Sequence, residues 1–141
     1  MALVTTLEMD GTKTIPAPNE IGKIYEHEFV VASADQNLGI GDFVQLGYKP
    51  AEAVITQVII NESVDSGATT VALGLADALV TTALASTIVA GAVIAGTNDD
   101  HIFADAPILA PGDDVGILAL EVGVEAESTA VITVRIRYRA A

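Results

Sequence analysis

Apolar and polar residues alternate along much of this chain, and a period of two is the mark of half-buried β-strands. Tyr25, His27, Phe29 and Val31 share one face, with Glu26, Glu28 and Val30 on the other. The segment from Ala130 to Arg139 alternates most cleanly. Ile132, Val134, Ile136 and Tyr138 line one side of it, and Thr133, Arg135, Arg137 and Arg139 the other. Ala53 to Ile60 and Thr87 to Ala95 read as strands apolar on both faces, the first broken only by Thr56 and Gln57. Phe43–Leu46, Thr70–Leu75 and Val115–Val122 add three more strands, and Leu3–Leu7 and His101–Phe103 two short ones.

Turn chemistry separates these runs. Ala34 to Gly41, Asn61 to Thr69, Asn98 to Asp105 and Gly123 to Ser128 carry the Gly, Asn, Asp and Ser of loops. In Ala110-Pro111-Gly112-Asp113-Asp114 the proline presets φ and the glycine admits a positive φ. Ala76 to Ser86 is either a short helix or an irregular connection, because its Ala and Leu favour helix while Val80, Thr81 and Thr82 oppose it. The seven longer strands, or eight with one of the short runs, with turns at intervals of roughly ten residues, predict an all-β antiparallel sandwich or barrel. Pro16 and Pro18 make residues 1–20 an extended N-terminal arm, leaving residues 21–141 as the β-sandwich domain. Two strands apolar on both faces exceed what a sandwich with one solvated side needs, so a homo-oligomer is expected.

Composition narrows the partners. With 141 residues the chain is long enough for one ordinary core. That core is built from small aliphatics, since Trp is absent and Phe and Tyr number three each. The absence of cysteine excludes disulfides and thiolate metal sites. Nineteen acidic residues against six basic ones give a net charge of −13, which disfavours nucleic acid and anionic membranes. The acidity fits high solubility, a basic partner surface or a saline habitat, and composition leaves all three open. Ala78 to Gly96 is uncharged and long enough to span a bilayer, yet it is rich in Ala, Thr, Gly and Ser and its flanks carry Asp77, Asp99 and Asp100 rather than Lys or Arg. No membrane span is expected, and the N-terminus lacks the basic head of a secretory signal.

Candidate chemistry is sparse. His27 sits on an apolar face, as a hydrogen-bonded core or interface histidine would. Asn98-Asp99-Asp100-His101 and Asp113-Asp114 lack the alternating ligand pattern of a calcium loop. There is no Gly-x-Ser-x-Gly nucleophile motif and no glycine-rich phosphate loop. No catalytic residue, cofactor or metal ion is expected. What stands out is the cationic row: all three arginines, half the basic residues, lie on one face of the last strand. Two readings remain. The row pairs with Glu26 and Glu28 if the first long strand and the last are neighbours, or it docks on an acidic surface of a partner.

The run Gly41-Asp42-Phe43-Val44-Gln45-Leu46-Gly47-Tyr48-Lys49-Pro50-Ala51, the strand Val54 to Ile60 and the later Thr69-Thr70-Val71-Ala72-Leu73-Gly74 resemble small structural proteins of tailed bacteriophages. So does Ala110-Pro111-Gly112-Asp113-Asp114 followed by two strands that end in Arg-x-Arg-Tyr. The resemblance covers residues 21–139 and is to head decoration (cement) proteins and related virion components. It implies a jelly-roll-like sandwich, in which first and last strands lie side by side. It also implies a non-enzymatic role on the capsid exterior, with the major capsid protein as partner and a homotrimer bridging neighbouring capsomers, made in the host cytoplasm. A minor tail or head-fibre component shares the same sandwich. A non-viral protein- or carbohydrate-binding module is the other alternative.

Overall fold

The computed structural model describes residues 3–5, 15–18, 20–32, 43–50, 53–63, 70–76, 86–94, 99–103, 117–123 and 131–140. These residues form strands β1 (Leu3–Thr5), β2 (Tyr25–Ala32), β3 (Phe43–Tyr48), β4 (Ala53–Glu62) and β5 (Thr70–Ala76). They continue with β6 (Ser86–Val93), β7 (Asp100–Phe103), β8 (Ile117–Val122) and β9 (Val131–Ala140). The expected turns at Ala34–Gly41 and Ala110–Asp114, and most of the Ala76–Ser86 connection, lie outside the described residues. No helix among the described residues is long and apolar enough to cross a membrane.

One sheet has the order β2-β9-β4-β7 and the other β1-β3-β8-β5-β6. Apart from β1, the chain crosses from one sheet to the other at every connection except β5 to β6, which are antiparallel neighbours. That alternation is the double Greek key of a jelly roll. The chain is therefore an all-β, jelly-roll-like sandwich whose two layers are antiparallel but for one edge. β1 alone is parallel, laid along the β3 edge with Leu3 opposite Phe43.

Period-two patterning explains the core. Phe29 and Val31 of β2, Ile55, Val58 and Ile60 of β4 and the Ile132, Val134, Ile136, Tyr138 row of β9 are all buried. They meet Val44 and Leu46 of β3, Val71, Leu73 and Leu75 of β5 and Leu118, Leu120 and Val122 of β8. A smaller buried cluster, Phe43, Ala76, Ile117 and Ala119, occupies the opposite face of the five-stranded sheet. That sheet is thus covered on both sides, as β8 shows by being buried almost throughout.

Two β-bulges reconcile the sequence pattern with this layering. β3 runs past Gly47 to Tyr48 because the register with β8 shifts between Gln45 and Gly47, so the glycine continues the strand instead of closing it. β4 shifts register between Ile55 and Gln57. The polar interruption Thr56-Gln57 is that irregularity, and it reverses the parity of the residues beyond it. Ile55, Val58 and Ile60 then face inward, whereas Val54, Gln57, Ile59 and Asn61 face outward. The segment is apolar on its inner face and, at Val54 and Ile59, on its outer face as well. Val54 and Ile59 are nevertheless buried within the single chain, so they leave no apolar stripe for a neighbour to cover. β4 also extends beyond the expected Ile60, because Asn61 pairs with Asp100 of β7 and Glu62 with Ile132 of β9.

Described residues before β2 are pinned to the sandwich. Ile15 packs against the main core. The Tyr138 hydroxyl donates to the Pro16 carbonyl, and the Glu20 N–H donates to the Tyr25 hydroxyl at 3.2 Å. Two tyrosines stacked at 5.6 Å between centroids thus hold Pro16 and Glu20 against the end of the sheet. Lys49 is buried and serves the next connection, donating to the Ala53 carbonyl at 3.1 Å and the Pro50 carbonyl at 3.3 Å.

Candidate functional site on the outer face of the four-stranded sheet

β9 lies between β2 and β4, so its outward arginines have strands on both sides. The register sets Glu26 opposite Arg137 and Glu28 opposite Arg135. On the other flank Gln57 stands opposite Arg137, and Ile59 opposite Arg135. Geometry then chooses among these neighbours. Arg137 Nε donates to Glu26 Oε2 at 2.8 Å and its Nη1 to Gln57 Oε1 at 2.9 Å. Arg135 leans across β4 and donates Nη2 to Asp100 Oδ2 at 2.8 Å, keeping a longer ion pair of 3.9 Å with Glu26. Asn61 Nδ2 completes the chain of contacts, donating to Asp100 Oδ1 at 3.0 Å.

The outcome is a polar lattice that touches all four strands: Glu26 on β2, Arg135 and Arg137 on β9, Gln57 and Asn61 on β4, Asp100 on β7. Glu26 serves two arginines, while Arg135 takes Asp100 in place of the carboxylate directly opposite, Glu28. Arg139 lies beyond the β2 ladder, is exposed, and donates to the Ala140 carbonyl at 3.1 Å. Hydrogen bonds from Asn61 and then Arg135 hold the Asp100 carboxyl below its ordinary value. His27 is half-buried on the inner side and meets Phe29 edge-on at 4.9 Å.

Sequence reasoning located the arginine row and the Glu26–Glu28 pair but missed Asp100, Gln57 and Asn61. Asp100 stood in the sequence only as part of the Asn98-Asp99-Asp100-His101 loop group, just before the short His101–Phe103 run. Its meeting with Arg135, across an intervening strand, leaves no local trace. Among the described residues no three ligand-type side chains cluster as a metal site would need. The arrangement braces the sheet and presents a charged face.

Comparison with solved structures then finds the same architecture in phage particles. The chain is similar to a chain in the capsid of Ralstonia phage GP4, at 17% identity and a TM-score of 0.74, with 99% of this chain and 98% of that chain covered. It is also similar to a chain of the cyanophage Pam1 capsid asymmetric unit, at 16% identity and a TM-score of 0.51, covering 92% and 94%. What they share is the fold. No protein-family profile and no curated protein sequence matches the chain.

This geometry makes two expectations. Glu26→Gln lowers stability by about 0.2–1 kcal/mol, the range of exposed ion pairs, and Glu28→Gln leaves it unchanged; urea unfolding in low and high salt checks this, and equal losses for both variants would contradict it. The second concerns Tyr138. Burial, with the Tyr25 phenol adding to it, pushes its hydroxyl up to about 12. The unfolded chain releases this proton near pH 10, so the stabilisation is complete below pH 10 and is lost progressively as the pH rises to about 12. Denaturant titrations of Tyr138→Phe should lack this part of the decline, and an identical slope in both proteins would refute it.

Proposed function

We propose that this chain is a non-enzymatic structural protein of a bacteriophage virion, a decoration or cement protein on the outer surface of the capsid. The observation that carries the proposal is the whole-length likeness to a chain in a phage capsid, with nearly complete coverage on both sides. Its partner in this reading is the major capsid protein, and it acts as a homo-oligomer, a trimer, that bridges neighbouring capsomers. It is made in the host cytoplasm and resides on the capsid exterior.

Physical features of the chain support the reading. A cement protein transmits strain between capsomers, so it must resist shear. Two sheets packed on one continuous aliphatic core, with a polar lattice across the outer face of one, make a stiff unit. On that face Glu26, Arg135, Arg137 and Asp100 are engaged with one another. A net charge of −13 suits a layer turned to solvent at high local density, where like charges keep particles apart.

Bridging also raises the cohesion of the shell by mass action, because a ligand that binds only the assembled lattice stabilises it in proportion to its own affinity. Purified protein mixed with undecorated capsids should therefore co-sediment and raise the temperature at which the capsids release their contents. Failure to co-sediment at any salt concentration would refute the proposal.

A further inference from the structure

The N-terminal part of the chain is held to the sandwich in two unlike ways. At its root the side chains of Tyr138 and Tyr25 grip the backbone at Pro16 and Glu20, and Ile15 packs against the main core. Its tip, β1, is the last strand of the five-stranded sheet and has one neighbour there. Three register pairs join it to β3: Leu3 with Phe43, Val4 with Val44 and Thr5 with Gln45. These are parallel pairs, which are slightly less stable per residue than antiparallel ones. A short edge strand next to a chain terminus belongs to the least stable part of a fold. The root is therefore fixed and the tip is weakly held.

No turn ties the tip to its seat. A hairpin would fix its own strand in place, but β2, a strand of the other sheet, comes between β1 and β3 along the chain. The seat on β3 thus recognises a backbone in the right register, whichever molecule supplies it. With β8 on its other side, β3 without β1 would end the sheet in a bare row of N–H and C=O groups, a template for a further strand. Reach is not limiting. From Ile15 at the root to Thr5 at the tip an extended chain covers up to about 35 Å. A molecule of this length has a radius of gyration of roughly 14 Å, so the β3 edge of a touching copy comes within range.

We infer that β1 is an exchangeable strand, which at high local concentration leaves its own β3 and takes the β3 edge of a second copy. The occupant is a second copy because residues 3–5 of this chain already fill that seat, and an exchanged strand repeats each of the three register pairs. Exchange of an identical element in this way is a low-cost route to association. The two arrangements differ in the tether. A short flexible tether keeps a chain's own strand at an effective concentration in the millimolar range, so dilute molecules retain β1. Copies fixed at neighbouring sites of a shell present their strands to one another at comparable concentration, and there the exchange links them. That setting rests on the shell-binding and homo-oligomeric reading of the proposed function, whereas the exchange itself is a property of the free chain at millimolar concentration.

The chain has no cysteine, so introduced thiols report on single pairs. The test uses full-length Val4→Cys, Val44→Cys and the double variant, since positions 4 and 44 are partners in the ladder. Neighbouring strands lie about 4.8 Å apart, within the span of a disulfide. Cysteine is small and tolerates burial, as the Val44 position requires; should circular dichroism show no cooperative melt, Thr5→Cys and Gln45→Cys replace the pair. After oxidation, non-reducing electrophoresis and peptide mass spectrometry read the linkage. At micromolar concentration the double variant is expected to link within single chains, and an equimolar mixture of the single variants to give no linkage between positions 4 and 44. At millimolar concentration the mixture is expected to give dimers joined between those positions, and capsids decorated with the mixture to give the same dimers. A millimolar mixture without that linkage, while the double variant closes within its own chain, overturns the exchange, as does the absence of any linkage from both pairs. On decorated capsids, a double variant that loses its internal linkage without forming dimers assigns the seat to a capsid strand and overturns the second copy as occupant. Exchange in free solution together with failure to co-sediment refutes the shell-binding reading alone.

Discussion

The sandwich depends on the insertion of its last strand between two strands made far earlier. β9 pairs along eight positions with β2 and along most of its length with β4. Without it β2 has no place in its sheet, and β4 with the short β7 would be a two-stranded ribbon, which is marginal in water. The buried row Ile132, Val134, Ile136 and Tyr138 makes the insertion favourable by placing four large side chains in the core at once. These contacts are non-local, so the ordering of the intervening chain precedes much of the gain, and such topologies fold slowly.

Once β9 is seated, its alternation determines the outer face. Three arginines project toward solvent, and a strand on each side offers them acceptors. Two are engaged: Arg137 by Glu26 and Gln57, Arg135 by Asp100 and Glu26. Individually these exposed pairs add little. Together they tie the edge strands β2 and β7 to the centre of the sheet, where the hydrogen-bond ladder alone leaves each edge held from one side. Arg139 falls beyond this lattice and is exposed. The same strand therefore closes the fold and sets the pattern of its outer face.

How much of this was legible in the sequence depended on whether the signal was local. The faces of β2 and β9 could be read directly, because alternation survives unbroken from Tyr25 to Val31 and from Ile132 to Arg139. β4 could not be read so simply. Its register shift at Thr56 and Gln57 reverses the parity midway, so alternation alone does not say which of its residues face the core. Gly47 looked like a stop because glycine usually ends strands, whereas here it sits just past a bulge. Asp100 and Arg135 meet across β4, and Tyr138 reaches Pro16 at the far end of the chain; both contacts exist only after the sheets are stacked. β1 joins its sheet as a parallel edge, a pairing that no hairpin or turn signal announces.

The same logic links structure to the proposed role. A brace on a shell needs a body that does not shear, and here stiffness comes from a core shared by both sheets and a strand that locks one of them. Native-state hydrogen exchange tests that dependence most directly. The account predicts that the amides of Val134 and Ile136 in β9 exchange only through global unfolding, with the same free energy as the core strands β5 and β8. Exchange of the β9 amides through a lower-energy opening, while β5 and β8 remain protected, would contradict it.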